Sequence, residues 1–148
     1  MNRRLCAAGY RVEGYLVQAM APPGTEMIVG VVEDPSFGPL VACGAGGILA
    51  ELLGDVSIRL APLTARDASA MLRELRLFPL LGGYRGGLPA DVSAMEDVLL
   101  RVSALASDLP HVVELELNPV RVYERGVLVL DARVRVEPVQ PPSLVARR

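Results

Sequence analysis

Apolar and polar positions alternate with a period of two in several short segments, the pattern of strands with one buried face. Residues 14–20 and 26–32 are predicted strands, separated by the turn residues Ala21-Pro22-Pro23-Gly24. Proline fixes φ and glycine permits a positive one, so these two strands are predicted to form a hairpin. After a second turn at residues 34–39, residues 40–42 and Val56–Leu60 are also predicted to be strands.

The middle of the chain changes to helical periodicity. Thr64 can cap a helix, with Asp67 in the reciprocal position three residues later. The buried stripe of this helix is predicted to comprise Ala68, Met71, Leu72 and Leu75. A glycine-rich link at residues 82–87 precedes a second helix. That helix is predicted to begin near Asp91 and to bury Met95, Val98, Leu99, Val102 and Leu105.

A second predicted hairpin near the carboxyl terminus carries acidic residues on one face. Within residues 112–120, Val113, Leu115 and Leu117 alternate with Glu114, Glu116 and Asn118. A further strand is predicted at residues 127–136. If Arg125-Gly126 forms a two-residue turn, Val120 pairs with Asp131, and Asn118 and Asp131 become diagonal neighbours on the face of Glu116. Two carboxylates and a carboxamide suit Mg²⁺, which takes oxygen ligands and often shares them with phosphates. The alternative is that they are only solvent-facing residues of an exposed sheet face.

Strands and helices alternate irregularly, with predicted hairpins at both ends of the chain. The arrangement favours an α+β fold, an antiparallel or mixed sheet covered by two helices. We expect a leader at residues 1–13, one folded unit at residues 14–137 and a mobile tail at residues 138–148, which is rich in proline.

The composition excludes several classes of protein. The net charge of −2 provides no electrostatic footprint for nucleic acid. No apolar run approaches the roughly 20 residues of a membrane span. The two cysteines, Cys6 and Cys43, have neither metal-ligand spacing nor the number expected of a disulfide framework. We therefore expect a cytoplasmic protein without a nucleic-acid or membrane partner.

A series of motifs gives the chain a resemblance to a known family. E-L-N-P at residues 116–119 is followed by L-D-A-R at residues 130–133. Upstream, and in the family's order, lie G-Y-L-V-Q-A-M (14–20), D-P-S-F-G-P (34–39), G-A-G-G-I-L-A-E-L (44–52), R-L-A-P-L (59–63) and G-G-Y-R-G (82–86). Together they resemble the carboxy-terminal part of the ATP-grasp domain of NDP-forming acyl-CoA synthetases, which is similar to the succinyl-CoA synthetase β-subunit.

The resemblance implies binding of Mg²⁺ and of ATP or ADP. It assigns the metal to Asn118 and Asp131, with Glu116 as a further ligand. It assigns adenine to the backbone of the strand that carries Val17, Gln18 and Met20, and the ribose hydroxyls to Glu26. The glycine loop that contains Gly44, Gly46 and Gly47 could either bind phosphate through backbone N–H groups or serve the turn alone.

The chain also departs from the family. It has no lysine motif before Gly14 and no CoA-binding or phosphohistidine domain, and its one histidine, His111, matches no family motif. We therefore predict no catalytic residue and no ligase activity for the isolated chain. The expected partners are the amino-terminal ATP-grasp half and a CoA-binding subunit or domains, with a homodimer through residues 14–20 and 26–32 as a further possibility. Two alternatives remain: a non-catalytic module that binds nucleotide or protein, and an enzyme of another class on a similar scaffold.

Overall fold

The computed structural model describes residues 9, 11, 13–47 and 54–139. Six strands form one antiparallel sheet: β1 (Thr25–Asp34), β2 (Gly38–Ala45), β3 (Val56–Leu60), β4 (Val112–Val122), β5 (Val127–Val129) and β6 (Ala132–Val136). Their order is β3-β2-β1-β4-β5, and β6 pairs with β4 beside β5. β5 and β6 therefore form one edge of the sheet, interrupted between Val129 and Ala132.

Two longer helices cover one face of the sheet. They are α1 (Ala65–Glu74) and α3 (Val92–Asp108), and a short helix α2 (Phe78–Leu81) and a 3₁₀ turn (Tyr84–Gly86) lie between them. The predicted capping box of α1 is confirmed, since Thr64 and Asp67 bond each other's backbone N–H groups. The predicted start of α3 is also confirmed, because Asp91 caps it by accepting from Ala94 N.

The core lies between these helices and the sheet. Most of the residues predicted to be buried in the helices are buried, while Val98 and Leu105 are partly exposed. From the strands, the core takes Met27, Val29, Val31, Val41, Cys43, Leu115, Val120 and Val122. Because side chains alternate along a strand, the intervening residues form the other face, which we call the open face. No described helix covers it.

The predicted amino-terminal hairpin is wrong. Residues 13–24 have no regular secondary structure, and β1 forms its hairpin with β2 instead. The turn between them is stabilised by Asp34, whose Oδ1 accepts from the backbone N–H groups of Ser36 and Phe37. Local chemistry thus favours the downstream turn, and the predicted strand at residues 40–42 extends to the whole of β2.

The predicted register of the second hairpin is also wrong, by two residues. Tyr123 N donates to Gly126 O at 3.1 Å, so the two-residue turn is Glu124-Arg125 and Val120 pairs with Val129. A shift of two residues leaves every side chain on its predicted face. The predicted shared face of Glu114, Glu116 and Asn118 therefore survives, while the neighbours across the hairpin change. At the start of β4 the prediction is wrong, because Val112 is buried instead of Val113, where the pairing with β6 is irregular.

Some predictions fall outside the described residues. These are most of the leader at residues 1–13, the part of the glycine-loop motif at residues 48–53, and residues 140–148 of the tail. In the described part of the chain, none of the helices has the length and apolar character needed to cross a bilayer.

Candidate functional site

The predicted metal ligands lie together on the open face, where the edge strand is interrupted. Asn118 N donates to Asp131 O at 3.1 Å, and Leu117 pairs with Ala132. Asn118 thus lies directly opposite Asp131 rather than diagonal to it, as the predicted register would have placed it. Asp131 of the L-D-A-R motif therefore lies in the interruption between β5 and β6. Asn118 of the E-L-N-P motif lies opposite it on β4.

Four side chains line a hollow at this point: Glu116, Asn118, Asp131 and Arg133. We call it the acidic hollow. Asn118 Nδ2 donates to Glu116 Oε1 at 2.9 Å, a bond that does not use the carboxamide oxygen. On the opposite strand, Arg133 Nε lies 3.5 Å from Asp131 Oδ2.

The donor set of the acidic hollow fits a hard divalent cation. It offers two carboxylates and one carboxamide, all oxygen ligands. Among the described residues, no three His, Cys, Asp or Glu side chains are grouped to hold a metal ion by themselves. The remaining coordination positions would therefore go to water or to ligand oxygens, which is how Mg²⁺ is usually shared with phosphates.

The predicted nucleotide-binding residues differ in their exposure and in their secondary structure. Val17 and Met20 are 91% and 93% exposed, and Gln18 is exposed too, all in the segment without regular structure. Glu26 lies in β1 and is half-buried. Val17, Gln18 and Met20 therefore lie in an exposed segment, whereas Glu26 belongs to a strand of the sheet.

Arg121 is a residue that the sequence analysis missed. It pairs with Glu26 across β1 and β4, donating to Oε1 from Nη2 at 2.8 Å and from Nε at 3.1 Å. This hydrogen bond raises the pKa of Arg121 above its usual value. Its Nη1 also donates to the carbonyl oxygens of Ala21 and Pro22, at 3.0 and 2.9 Å. Arg121 therefore attaches the end of the amino-terminal segment to the residue predicted to bind ribose.

The glycine loop has a structural explanation. A Cβ at Gly44 would lie 2.5 Å from Asp55 O, and one at Gly46 would lie 2.8 Å from the Glu26 carbonyl carbon. Gly47 has φ +59°, and a Cβ there would lie 2.6 Å from Glu26 Oε2. These glycines permit close packing of backbone segments, which favours the structural alternative over a phosphate nest.

The open face divides into two halves. Between Ile28 and Val32 of β1, and on β2 and β3, it consists of small and aliphatic residues, which we call the apolar half: Ile28, Gly30, Val32, Leu40, Ala42, Gly44, Val56, Ile58 and Leu60. On β4 and the edge strand it carries the acidic hollow with Glu114 and Arg135, which we call the charged half. A shallow groove lined by Gly30, Val32, Ala42, Glu114 and Glu116 joins the two.

Comparison with known proteins identifies the fold. A family model described as an ATP-grasp domain matches residues 1–136. The ADP-forming acetate–CoA ligase I of Archaeoglobus fulgidus is 51% identical over 124 residues, which are 84% of this chain and 18% of that protein. The β subunit of the ADP-forming acetate–CoA ligase I of Pyrococcus furiosus is 44% identical over 121 residues, 82% of this chain and 52% of the subunit.

Solved structures show similarity to the same group of enzymes. The dinucleotide forming acetyl-coenzyme A synthetase 1 of Ca. Korarchaeum cryptofilum, in complex with coenzyme A, Ca-AMPCP and HgCl⁺, superposes with a TM-score of 0.81 at 42% identity. That match covers 92% of this chain and 59% of the other. The same synthetase with coenzyme A and Mg-AMPPCP gives a TM-score of 0.76 at 44% identity, over 79% of this chain and 55% of the other.

These matches confirm the resemblance and the α+β fold class. The chain spans about half the length of the Pyrococcus furiosus β subunit and under a fifth of the Archaeoglobus fulgidus ligase that it matches. The chain belongs to the ATP-grasp domain family, and its relatives are ADP-forming acetate–CoA ligases.

Proposed function

We propose that the chain is the nucleotide- and Mg²⁺-binding part of an ADP-forming acyl-CoA synthetase and that it does not complete the ligation by itself. The observation that carries the proposal is the convergence of Glu116, Asn118 and Asp131 on one hollow of the open face. A related synthetase has been crystallised with Mg-AMPPCP, a metal–nucleotide complex.

The acidic hollow is the proposed metal end of the site. Asp131 and Glu116 supply charge, and the Asn118 carboxamide oxygen supplies a neutral ligand. When bound, Mg²⁺ neutralises phosphate charge and orients the phosphates for transfer. The two paired strands fix the separation of the ligands, because Asn118 and Asp131 are joined through their backbones.

The apolar half is the proposed floor for the uncharged part of the nucleotide. Gly30 and Ala42 leave a shallow apolar surface beside the charged half, joined to it by the groove. The backbone of Val17, Gln18 and Met20 remains our candidate for adenine, with Glu26 for the ribose. Arg121 links these two groups, since it bonds both Glu26 and the chain just after Met20.

Phosphoryl transfer depends on positioning and on neutralisation of charge, which needs groups on both sides of the phosphates. All fifteen basic residues of this chain are arginines. The lysine that the family resemblance implies must therefore be supplied by another segment or chain. We propose the amino-terminal ATP-grasp half and a CoA-binding subunit or domain as partners, and a cytoplasmic location in keeping with such an enzyme.

Isothermal titration calorimetry with Mg-ADP tests the binding proposal. A half-built cleft should bind weakly, with a Kd in the high micromolar range or above, on the order of −5 kcal/mol. Asp131→Ala and Asn118→Ala should each abolish detectable binding, and both variants should melt close to the wild type because these side chains are exposed. Glu124→Ala is the matched control, since it removes one acid from the turn of the same hairpin.

Two results would contradict this proposal. Equal binding by Asp131→Ala and wild type would remove the metal from the acidic hollow. Loss of folding in both hollow variants, but not in Glu124→Ala, would show that the residues are structural.

An activity assay tests the second part of the proposal. The purified 148-residue chain, supplied with acetate, CoA, ATP and Mg²⁺, should form no acetyl-CoA above a control without protein. Acetyl-CoA formation that disappears in Asp131→Ala would show that the isolated chain is a complete ligase.

The exposed amino-terminal segment also supports a homodimer. Leu16, Val17 and Met20 are each more than four-fifths exposed, and Tyr15 is 54% exposed. Adjacent apolar side chains in water favour association. We propose a symmetric dimer through this segment and the open face of β1, whose two edges are already paired, and light scattering should give about twice the chain mass of 15.8 kDa. A mass equal to one chain at tens of micromolar would reject the dimer.

A further inference from the structure

Arg133 is the one side chain of the acidic hollow with no place in the metal site. Its Nε lies 3.5 Å from Asp131 Oδ2, and its strand position is opposite Glu116. The guanidinium therefore lies at ion-pair distance from Asp131 and lines the same hollow as Glu116, the two carboxylates that are proposed to bind the metal. Its side chain is 79% exposed, so it can change partners without disturbing the core.

This placement sets a guanidinium in competition with a divalent cation. A free metal ion must separate Arg133 from Asp131 and then remain near a positive charge, which repels it. A metal ion that arrives bound to a nucleotide brings phosphate oxygens with it. The guanidinium then exchanges one anionic partner for another, and its planar donors suit phosphate.

The neighbouring Arg135 provides a contrast within the same strand. It pairs with Glu114, Nε to Oε2 at 2.9 Å, and also with Glu137. Neither acid lines the acidic hollow, and Arg135 itself does not line it. Two arginines two residues apart on one face therefore differ in their ion-pair partners, because only Arg133 pairs with a proposed metal ligand.

We propose that Arg133 is a specificity-determining residue that makes the acidic hollow select a metal–nucleotide complex over a free divalent cation. The inference rests on the proposed function, which places metal and phosphates at this hollow. It goes further in assigning Arg133 two opposite effects: it weakens binding of free metal and strengthens binding of the metal–nucleotide complex.

The test compares two ligands in three variants of the full chain. Binding of free Mn²⁺ is measured by electron paramagnetic resonance, and binding of Mg-ADP by calorimetry. Arg133→Gln should bind Mn²⁺ about fivefold more tightly, because a repelling charge is gone. It should bind Mg-ADP about tenfold more weakly, because a charge-assisted contact is lost. Arg135→Gln should change either affinity less than about twofold, as expected of an exposed ion pair.

Arg133→Lys distinguishes the effect of the positive charge from that of the guanidinium geometry. It should bind Mn²⁺ as weakly as wild type, and it should recover only part of the affinity for Mg-ADP, since an ammonium lacks the paired donors of a guanidinium. A purely structural role would shift both affinities in the same direction and would lower the melting temperature.

The outcomes distinguish the two proposals. If wild type binds Mg-ADP, Asp131→Ala does not, and Arg133→Gln equals wild type for both ligands, the role of Arg133 is overturned and the proposed function stands. The role of Arg133 is likewise overturned if Arg135→Gln reproduces the changes seen in Arg133→Gln. If neither wild type nor Arg133→Gln binds either ligand, the metal site fails, and the inference fails with it.

Discussion

The apolar and charged halves of the open face belong to one sheet, yet they meet water in different ways. Val56, Ile58 and Leu60 are each more than half exposed on an edge strand, whereas the charged half presents ions that water solvates well. Exposed aliphatic surface is costly and is usually covered by a ligand or a partner. This difference makes burial by a ligand or partner favourable for the apolar half, while for the charged half a counter-charge suffices.

The largest effect should come from a substitution at Gly44 in the apolar half, with Gly30 in the same half as its control. A Cβ at Gly44 would lie 2.5 Å from Asp55 O, a backbone atom, whereas at Gly30 the nearest atom, Leu115 O, is 3.6 Å away. Gly44→Val should therefore lower the free energy of unfolding by about 2 kcal/mol or more. Gly30→Val should change it by less than about 0.5 kcal/mol. Urea unfolding of both variants measures the difference.

This pair of variants distinguishes a tightly packed position of the apolar half from an accessible one. Equal destabilisation of both variants would show that both positions are tightly packed, and the surface at Gly30 would then not be open to a ligand. The result also matters for the binding experiments below, because only a stable Gly30→Val variant can report on ligand binding.

The second prediction distinguishes the roles of the two halves by comparing a nucleotide with its nucleoside. Removing Mg²⁺ with a chelator should weaken ADP binding by roughly tenfold to a hundredfold, because the phosphates then face two uncompensated carboxylates. Adenosine has no phosphate, so chelation should leave its binding unchanged. Calorimetry with both ligands measures the contrast, and an equal loss for adenosine would place the metal outside the charged half.

The third prediction addresses the apolar half. Gly30→Val adds three carbons to the surface proposed to receive the uncharged part of the nucleotide. Binding of adenosine and of Mg-ADP should weaken by similar factors, about fivefold to tenfold, as expected for a steric obstacle of a few carbon atoms. Thr25→Val is the control for a valine elsewhere on β1, since it exchanges a hydroxyl for a methyl group away from Gly30. Binding of Mg-ADP unaltered in Gly30→Val would exclude the apolar half from the site.

Local chemistry explains what the sequence can predict. The capping residues Thr64 and Asp91 act within three residues of themselves, so both helix starts follow from the sequence. Alternation along β4 likewise fixes the shared face of Glu116 and Asn118, whichever register the hairpin adopts. The predicted group of metal ligands is therefore insensitive to the error in the turn.

Non-local pairing explains what the sequence cannot predict. The salt bridge between Arg121 and Glu26 joins residues 95 positions apart, through the pairing of β1 with β4. No local pattern indicates that pairing. The wrong strand prediction for residues 14–20 has the same origin: their apolar residues fit a strand locally, but in the described structure they have no partner strand.

The smallest expected effect concerns how the charged half is attached to the helices. Asp91 Oδ1 accepts from Ala94 N at 2.9 Å, and Oδ2 accepts from Gly126 N at 2.8 Å, so one carboxylate joins the start of α3 to the hairpin turn. These two bonds, that to Gly126 first, lower the pKa of Asp91 below its usual value. A carboxylate with a lowered pKa in the folded state stabilises the fold above its unfolded pKa of about 3.9, and this stabilisation is lost as the pH falls through the folded value.

Asp91→Asn retains one acceptor oxygen. The neutral carboxamide cannot accept hydrogen bonds from both N–H groups as the carboxylate does. The variant should melt a few degrees below wild type at pH 7 and at pH 5, and the gap should narrow as the pH falls below the unfolded pKa of about 3.9 toward the lowered pKa of folded Asp91. Asp97→Asn is the control, since Asp97 lies on the same helix and forms an exposed pair with Arg101 one turn away. Amide exchange of Gly126 should accelerate in Asp91→Asn, while that of Val41 and Cys43, in strand β2 of the apolar half, should remain slow. Acceleration at all three amides would show that Asp91 supports the whole sheet and does not specifically attach the charged half.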